Sequence, residues 1–265
     1  MAGLIISFRG LDADEGRIEA FAGIESAAGL ARAFTLIGHY ASTGVVRHRF
    51  PFDDGVQFFL EATEPGSFNW RIKMIAGPLA FGLATNGVYD LIKLVVTRAI
   101  GEEPTGISEP VQQLNENKGG DIDALVEAIE PALKKAHYGI GATARKIVIE
   151  ETSSKKVIVT FDSHSKDYLM ESIENGDSEQ DVSISALNVN DRTGRAYFLD
   201  LKRTIPFKIS KDADPKTIST LSAALDRYAN KNGAPTRIYF SRIEASDERL
   251  KRVIIHKSED ISDSD

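Results

Sequence analysis

Leu4, Ile6 and Phe8 alternate with Ile5, Ser7 and Arg9 before Gly10, a period of two that predicts a first strand. Ile18, Phe21, Ile24, Ala28, Ala31, Phe34 and Ile37 then recur at helical spacing and predict a helix over 17–41 lying on a core. Its inward positions are rich in Ala and Gly, which allows close approach of a sheet or a second helix. The acids at 12–15 read as the start of that helix, where negative charge complements the macrodipole. Three strands are expected next, carried by Val46, His48 and Phe50, by Val56, Phe58, Leu60 and Ala62, and by Phe68, Trp70, Ile72 and Met74. Asp53-Asp54-Gly55 and Glu64-Pro65-Gly66 supply the turns between them. An apolar helix over 79–100 completes a β-α-β-β-β-α order and packs back on the sheet.

Residues 101–120 hold Pro104, Gly106, Pro110 and Gly119-Gly120 with few large apolar side chains, and read as a mobile loop. Ile122, Leu125, Ile129, Leu133 and Ala136 mark a further helix, kinked at Pro131. A hairpin over 146–150 and 156–161 and a short helix over 166–173 lead to a boundary at 176–180. Beyond it, strands are expected from Val182 and Ile184 onward, then over 195–201, 204–209, 236–243 and 251–256, with a helix over 215–230 that opens on proline. The fold class is therefore α+β. An N-terminal mixed β-sheet packed by helices (1–178) precedes a small β-barrel-like domain (179–258) in β-β-β-α-β-β, OB-like order.

Composition changes this picture little: 265 residues, 42% hydrophobic and 27% charged, are those of an ordinary globular protein. The chain has no cysteine, which removes disulfides, thiolate metal sites and thiol nucleophiles and fits a reducing cytoplasm. Residues 1–8 lack a basic region followed by an apolar run, so no secretory signal is expected. Residues 74–89 carry no charge, but Asp90, Lys93 and several glycines dilute the apolar run. A buried core or interface helix is expected there rather than a membrane span.

Charge changes it more. Residues 181–257 hold 15 Lys and Arg against 9 Asp and Glu, whereas residues 259–265 hold four acids and no base. A basic module beside an acidic tail points to an electrostatic partner. Arg195, Tyr197, Lys202, Arg203, Arg237, Tyr239, Lys251 and Arg252 are the candidate contacts for single-stranded nucleic acid, charge serving phosphates and rings serving bases. Parity places Arg195 and Tyr197 on one face of their strand and Arg237 and Tyr239 on one face of theirs. That surface is contiguous only if the two strands are neighbours. The alternative is that the phenylalanines are core and the charges an ordinary solvated face.

Other constellations are weak. Asp191, Asp200 and Lys202 imitate a metal-dependent nuclease, but a strand between the carboxylates holds them about 30 Å apart. Gly139-Ile140-Gly141 imitates a dinucleotide fingerprint, yet it follows a helix and precedes a strand. The five histidines have no metal-ligand spacing, and Ser163-His164-Ser165 lacks a positioned base and its orienting partner. No cofactor or metal is expected.

Gly44 with the strand after it, the Glu64-Pro65-Gly66-Ser67-Phe68 turn and the Gly-rich apolar helix resemble an uncharacterised bacterial family. Its members join such a domain to a small β-rich one, matched here by Gly194-Arg195-Ala196 and Thr204-Ile205-Pro206-Phe207. The resemblance covers most of the chain, carries no activity, and implies a mobile-element or phage-defence setting. The expectation is a non-catalytic, cytoplasmic bacterial protein that assembles with itself or a protein partner. Leu79, Phe81, Leu83, Tyr89 and Leu94 are its candidate interface. Nucleic-acid binding is the rival reading, and a hydrolase the third.

Overall fold

In a computed structural model, residues 3–61, 68–170, 172–201, 203–230, 235–245 and 250–261 are described. The turn at 64–67, Lys202 and tail residues 262–265 lie outside them. The chain divides into two compact units, Met1–Asn115 with Leu125–Met170, and Glu116–Ala124 with Glu171–Asp265.

The first unit is built on β1 (Gly3–Arg9), α1 (Ala20–Thr43), β2 (Val56–Glu61), β3 (Asn69–Ala76) and α2 (Thr85–Ala99). α3 (Glu109–Asn117), α4 (Gly119–Ala136), β4 (Lys146–Glu151), β5 (Val157–Phe161) and α5 (Ser163–Met170) come next. Its sheet runs β2-β3-β1-β4-β5 with every pair antiparallel. The first four strands with α1 and α2 make a split βαβ arrangement, to which β5 adds an edge. Register explains the pattern: Leu4 faces Ile72 and Ile6 faces Trp70 on one side, while Ile5 faces Arg71 and Ser7 faces Asn69 on the other. Helices cover the first side.

The small residues of α1 do what their size permits. At Gly29 a Cβ would lie 2.3 Å from the Ala136 nitrogen and 2.5 Å from the Ala132 oxygen, so α1 crosses α4 backbone to backbone. At Gly38 it would lie 3.1–3.2 Å from Phe58 and Val56, bringing α1 down onto β2. α1 is long and apolar enough to cross a membrane by length and composition, but half of its apolar stretch is buried within the protein, as in a core helix.

Several expectations are corrected. Residues 46–50 are not a strand: the segment is almost wholly exposed, and Pro51 has no N–H for a ladder. Arg32 instead lies over the Phe52 ring and donates to the His48 carbonyl at 2.6 Å. The acids of 12–15 form a separate 3₁₀ turn, and Glu19 caps α1, accepting from the Ala22 N–H at 2.7 Å and the Phe21 N–H at 3.1 Å. Those bonds hold its carboxyl below the usual range. The helix expected over 79–100 begins only at Thr85, because Phe81 takes a positive φ in a short 3₁₀ turn before it. Within 101–120, α3 forms because Val111 and Leu114, one turn apart, are both buried. Gly139-Ile140-Gly141 is the turn that ends α4, Gly141 adopting φ +82°.

The second unit contains β6 (Ser172–Asn188), β7 (Thr193–Phe198), β8 (Arg203–Ile209), α6 (Thr217–Ala229), β9 (Thr236–Ala245) and β10 (Leu250–Asp260). The five strands close into a barrel in the order β10-β8-β7-β6-β9, with β8 and β10 parallel and the other neighbours antiparallel. This is the expected OB-type topology. Val182, Ile184, Ala196, Phe198, Ile205, Phe207, Ile238, Phe240, Val253 and Ile255 fill its interior, and α6 adds Leu221 and Ala224. β6 runs straight through 176–180, the segment expected to be a boundary. β10 likewise takes Glu259 and Asp260 of the expected tail into the barrel.

Candidate functional site

The strand order decides the fate of the expected cationic surface. β7 and β9 are not neighbours: β6 lies between them, and its outward row is Asp177, Glu179 and Asp181. Asp181 stands opposite Arg237 and holds it by two hydrogen bonds of 2.8 and 3.1 Å, an arrangement that raises the guanidinium further above its ordinary pKa. Arg195 pairs with Asp123 at 3.5 Å, both side chains being 17% exposed or less. Tyr239 donates to Glu259 at 3.0 Å, and Lys257 pairs with the same carboxylate. Hydrogen bonds from Lys257 and then Tyr239 lower the Glu259 pKa, while the bond to Glu259 raises the phenol.

Of the remaining candidates, Tyr197 is half-buried beside Ser183, Arg203 opens β8, Lys251 is buried, and Arg252 is half-buried opposite Ile243. Phe198, Phe207 and Phe240 belong to the barrel core. The structure thus brings Arg237 and Tyr239 together on β9, opposite Asp181 and Glu179, and sets Arg195 and Tyr197 against a different stretch of β6, opposite Ala186 and Ser183.

The nuclease-like set is not assembled either. Asp191 accepts from Asn188 before β7 begins, and Asp200 accepts from Gln180 after it ends. Among the described residues, no group of three or more acidic or histidine side chains is placed to hold a metal ion. Ser165 is buried where its hydroxyl meets the Asp162 N–H and His137 Nε2.

What the register creates instead is a recess of about 470 Å³ on the barrel wall, lined by Asp177, Ser178, Glu179, Tyr239, Phe240, Ser241 and His256. Two β-bulges make it. On β6 the pairing skips from Asn175–Arg242 to Asp177–Ser241, leaving Gly176 as the extra residue. On β10 it skips from Ile255–Phe240 to Lys257–Tyr239, leaving His256 extra. A bulge bends its strand and re-aims a side chain. With one on each flank of β9, His256 Nε2 comes within 2.7 Å of Ser241 Oγ, and Asp177 Oδ1 lies 3.4 Å away. Strict alternation does not find these residues because it assumes unbroken register; Gly176 inside a strand pattern is the signal the sequence offers.

The candidate interface helix is mostly inside the first unit. Leu83, Tyr89 and Leu94 are buried and Leu79 is half-buried; only Phe81 is exposed, with its ring 5.5 Å from that of Tyr40. Apolar side chains are also exposed at Phe21, Ile24 and Phe50, and two more lie together on a strand at the end of the sheet. β2 ends the strand order, has neither proline nor lysine, and leaves Phe59 45% and Leu60 65% exposed.

Residues 178–259 match the family described as "Family of unknown function (DUF7947)", and residues 4–170 match "Domain of unknown function (DUF7946)". No curated protein and no solved structure matches the chain. With well over half its length inside the match over 4–170, the chain belongs to the DUF7946 family.

Proposed function

We propose that the protein is a non-catalytic assembly module that pairs with a second copy of itself through β2. The observation that carries this reading is the place of that strand at the end of its sheet, with no further strand beside it among the described residues. Natural edge strands are blunted by charge, proline or cover, because unpaired N–H and C=O groups template pairing with another chain. β2 shows Phe59 and Leu60 at its edge instead. The strand is also self-complementary. A two-fold axis at Phe59 sets Phe58 against Leu60 on one face, Phe59 against Phe59 on the other, and Gln57 against Glu61, so no like charges meet.

Light scattering on the purified chain tests the proposal. A dimer is expected across the micromolar range. The double variant Phe59→Asp, Leu60→Lys is expected to be monomeric with an unchanged melting temperature, since both side chains already face solvent. A wild-type monomer overturns the reading. Nucleic-acid binding is the weaker reading, resting on the barrel's strand order by analogy, because Arg195 and Arg237 already hold carboxylates.

A further inference from the structure

We propose that the recess between the two bulges is a binding site for an alkylammonium or guanidinium group. That group would come either from a small free amine or guanidine or from the side chain of a lysine or arginine on a protein partner. The recess owes nothing to the β2 edge, so either can stand without the other. A recess of about 470 Å³ is of ligand size, and it combines a ring, a hydroxyl and two carboxylates on adjacent strands.

Each component suits a cation. The Tyr239 ring has already attracted one, since Lys257 Nζ stands 5.2 Å from its centroid. Ser241 Oγ donates to Asp177 Oδ1 at 3.4 Å and lies 2.7 Å from His256 Nε2, and it still has a lone pair for an incoming N–H. Asp177 stands opposite Ser241 and Glu179 opposite Tyr239, so two carboxylates meet the same cavity from one side.

The charge balance is local. Arg237, Arg242 and Lys257 lie on the same two strands, yet each is paired with its own acid: Asp181, Glu244 and Glu259. Among the described residues, none of the lining side chains is a lysine or arginine. The site also lies on the β6-β9-β10 wall, away from the β7–β8 face that OB-type barrels offer to oligonucleotides.

Titration calorimetry on the full chain tests this with agmatine and with acetyl-Gly-Arg-Gly-amide. Pentanol and the citrulline peptide serve as uncharged counterparts. Saturable binding is expected for a cation and not for its neutral counterpart. Binding of agmatine alone assigns a free metabolite; binding of the peptide as well assigns a partner's side chain. Asp177→Asn with Glu179→Gln is expected to weaken that binding by about tenfold or more, the scale of losing charge-assisted hydrogen bonds. Both carboxylates are exposed, so the melting temperature should not move. Absence of binding by either cation, or binding that survives the double variant, overturns the proposal.

Discussion

His137 is fully buried, with Nδ1 2.8 Å from the Leu133 carbonyl, Nε2 2.9 Å from Ser165 Oγ, and its ring 4.2 Å from that of Phe161. Burial is the main cause that lowers its pKa from 6.5 to about 4. The folded protein therefore refuses a proton that the unfolded chain accepts. Its contribution to stability is complete above pH 6.5 and is lost as pH falls toward 4. The loss is of order ~3 kcal/mol. Urea unfolding at pH 7 and pH 4.5 should show this decline in the wild type and a shallower one in His137→Gln; equal slopes would count against it. The sequence marks His137 only as a scattered histidine. Its partner Ser165 is 28 positions away, and nothing local records that the two meet.

At the level of elements, Gly194 shows how one residue sets a strand. It lies on the inner side of β7, where a Cβ would stand 2.3 Å from the Ala186 oxygen and 2.4 Å from Phe207 Cζ. The backbone oxygen cannot swing aside. Gly194→Ala is therefore expected to cost about 1–3 kcal/mol, read as a lower urea midpoint at constant m-value. Gly176, at the β6 bulge, has open space where a Cβ would stand, with nothing within 4 Å. Gly176→Ala therefore serves as the control and should stay within about 0.5 kcal/mol. Alternation in the sequence is enough to find β1, β2, β3, the β4–β5 hairpin and part of every barrel strand, but it misses the first half of β6, where 176–180 reads as a boundary. It fails where burial does not follow pattern. Residues 46–50 alternate but pack against Arg32 as a loop, and α3 forms on only two buried side chains.

For the molecule as a whole, the decisive quantity is where the acids go. The segment 181–257 is basic by itself, but the compact unit containing it, residues 116–124 and 171–265, carries 16 Lys and Arg against 20 Asp and Glu, a net charge of −4. β6 adds Asp177 and Glu179, β10 adds Glu259 and Asp260, and these acids stand beside the arginines and lysines of β9, β10 and α6. Retention of the intact protein on single-stranded DNA should accordingly be weak at physiological salt; tight binding lost steeply with salt would restore the polyanion reading.

Local chemistry alone determined the secondary elements with strong periodicity, the α+β class and the β-β-β-α-β-β succession of elements along the second unit, since side-chain period and turn residues act over a few positions. Only the tertiary structure decided which charges cancel, which apolar residues stay outside, and where the recess opens. Those outcomes depend on strand neighbours, register and two single-residue bulges, which join residues as much as 79 positions apart, from Asp177 to His256, and leave no periodic trace in the chain.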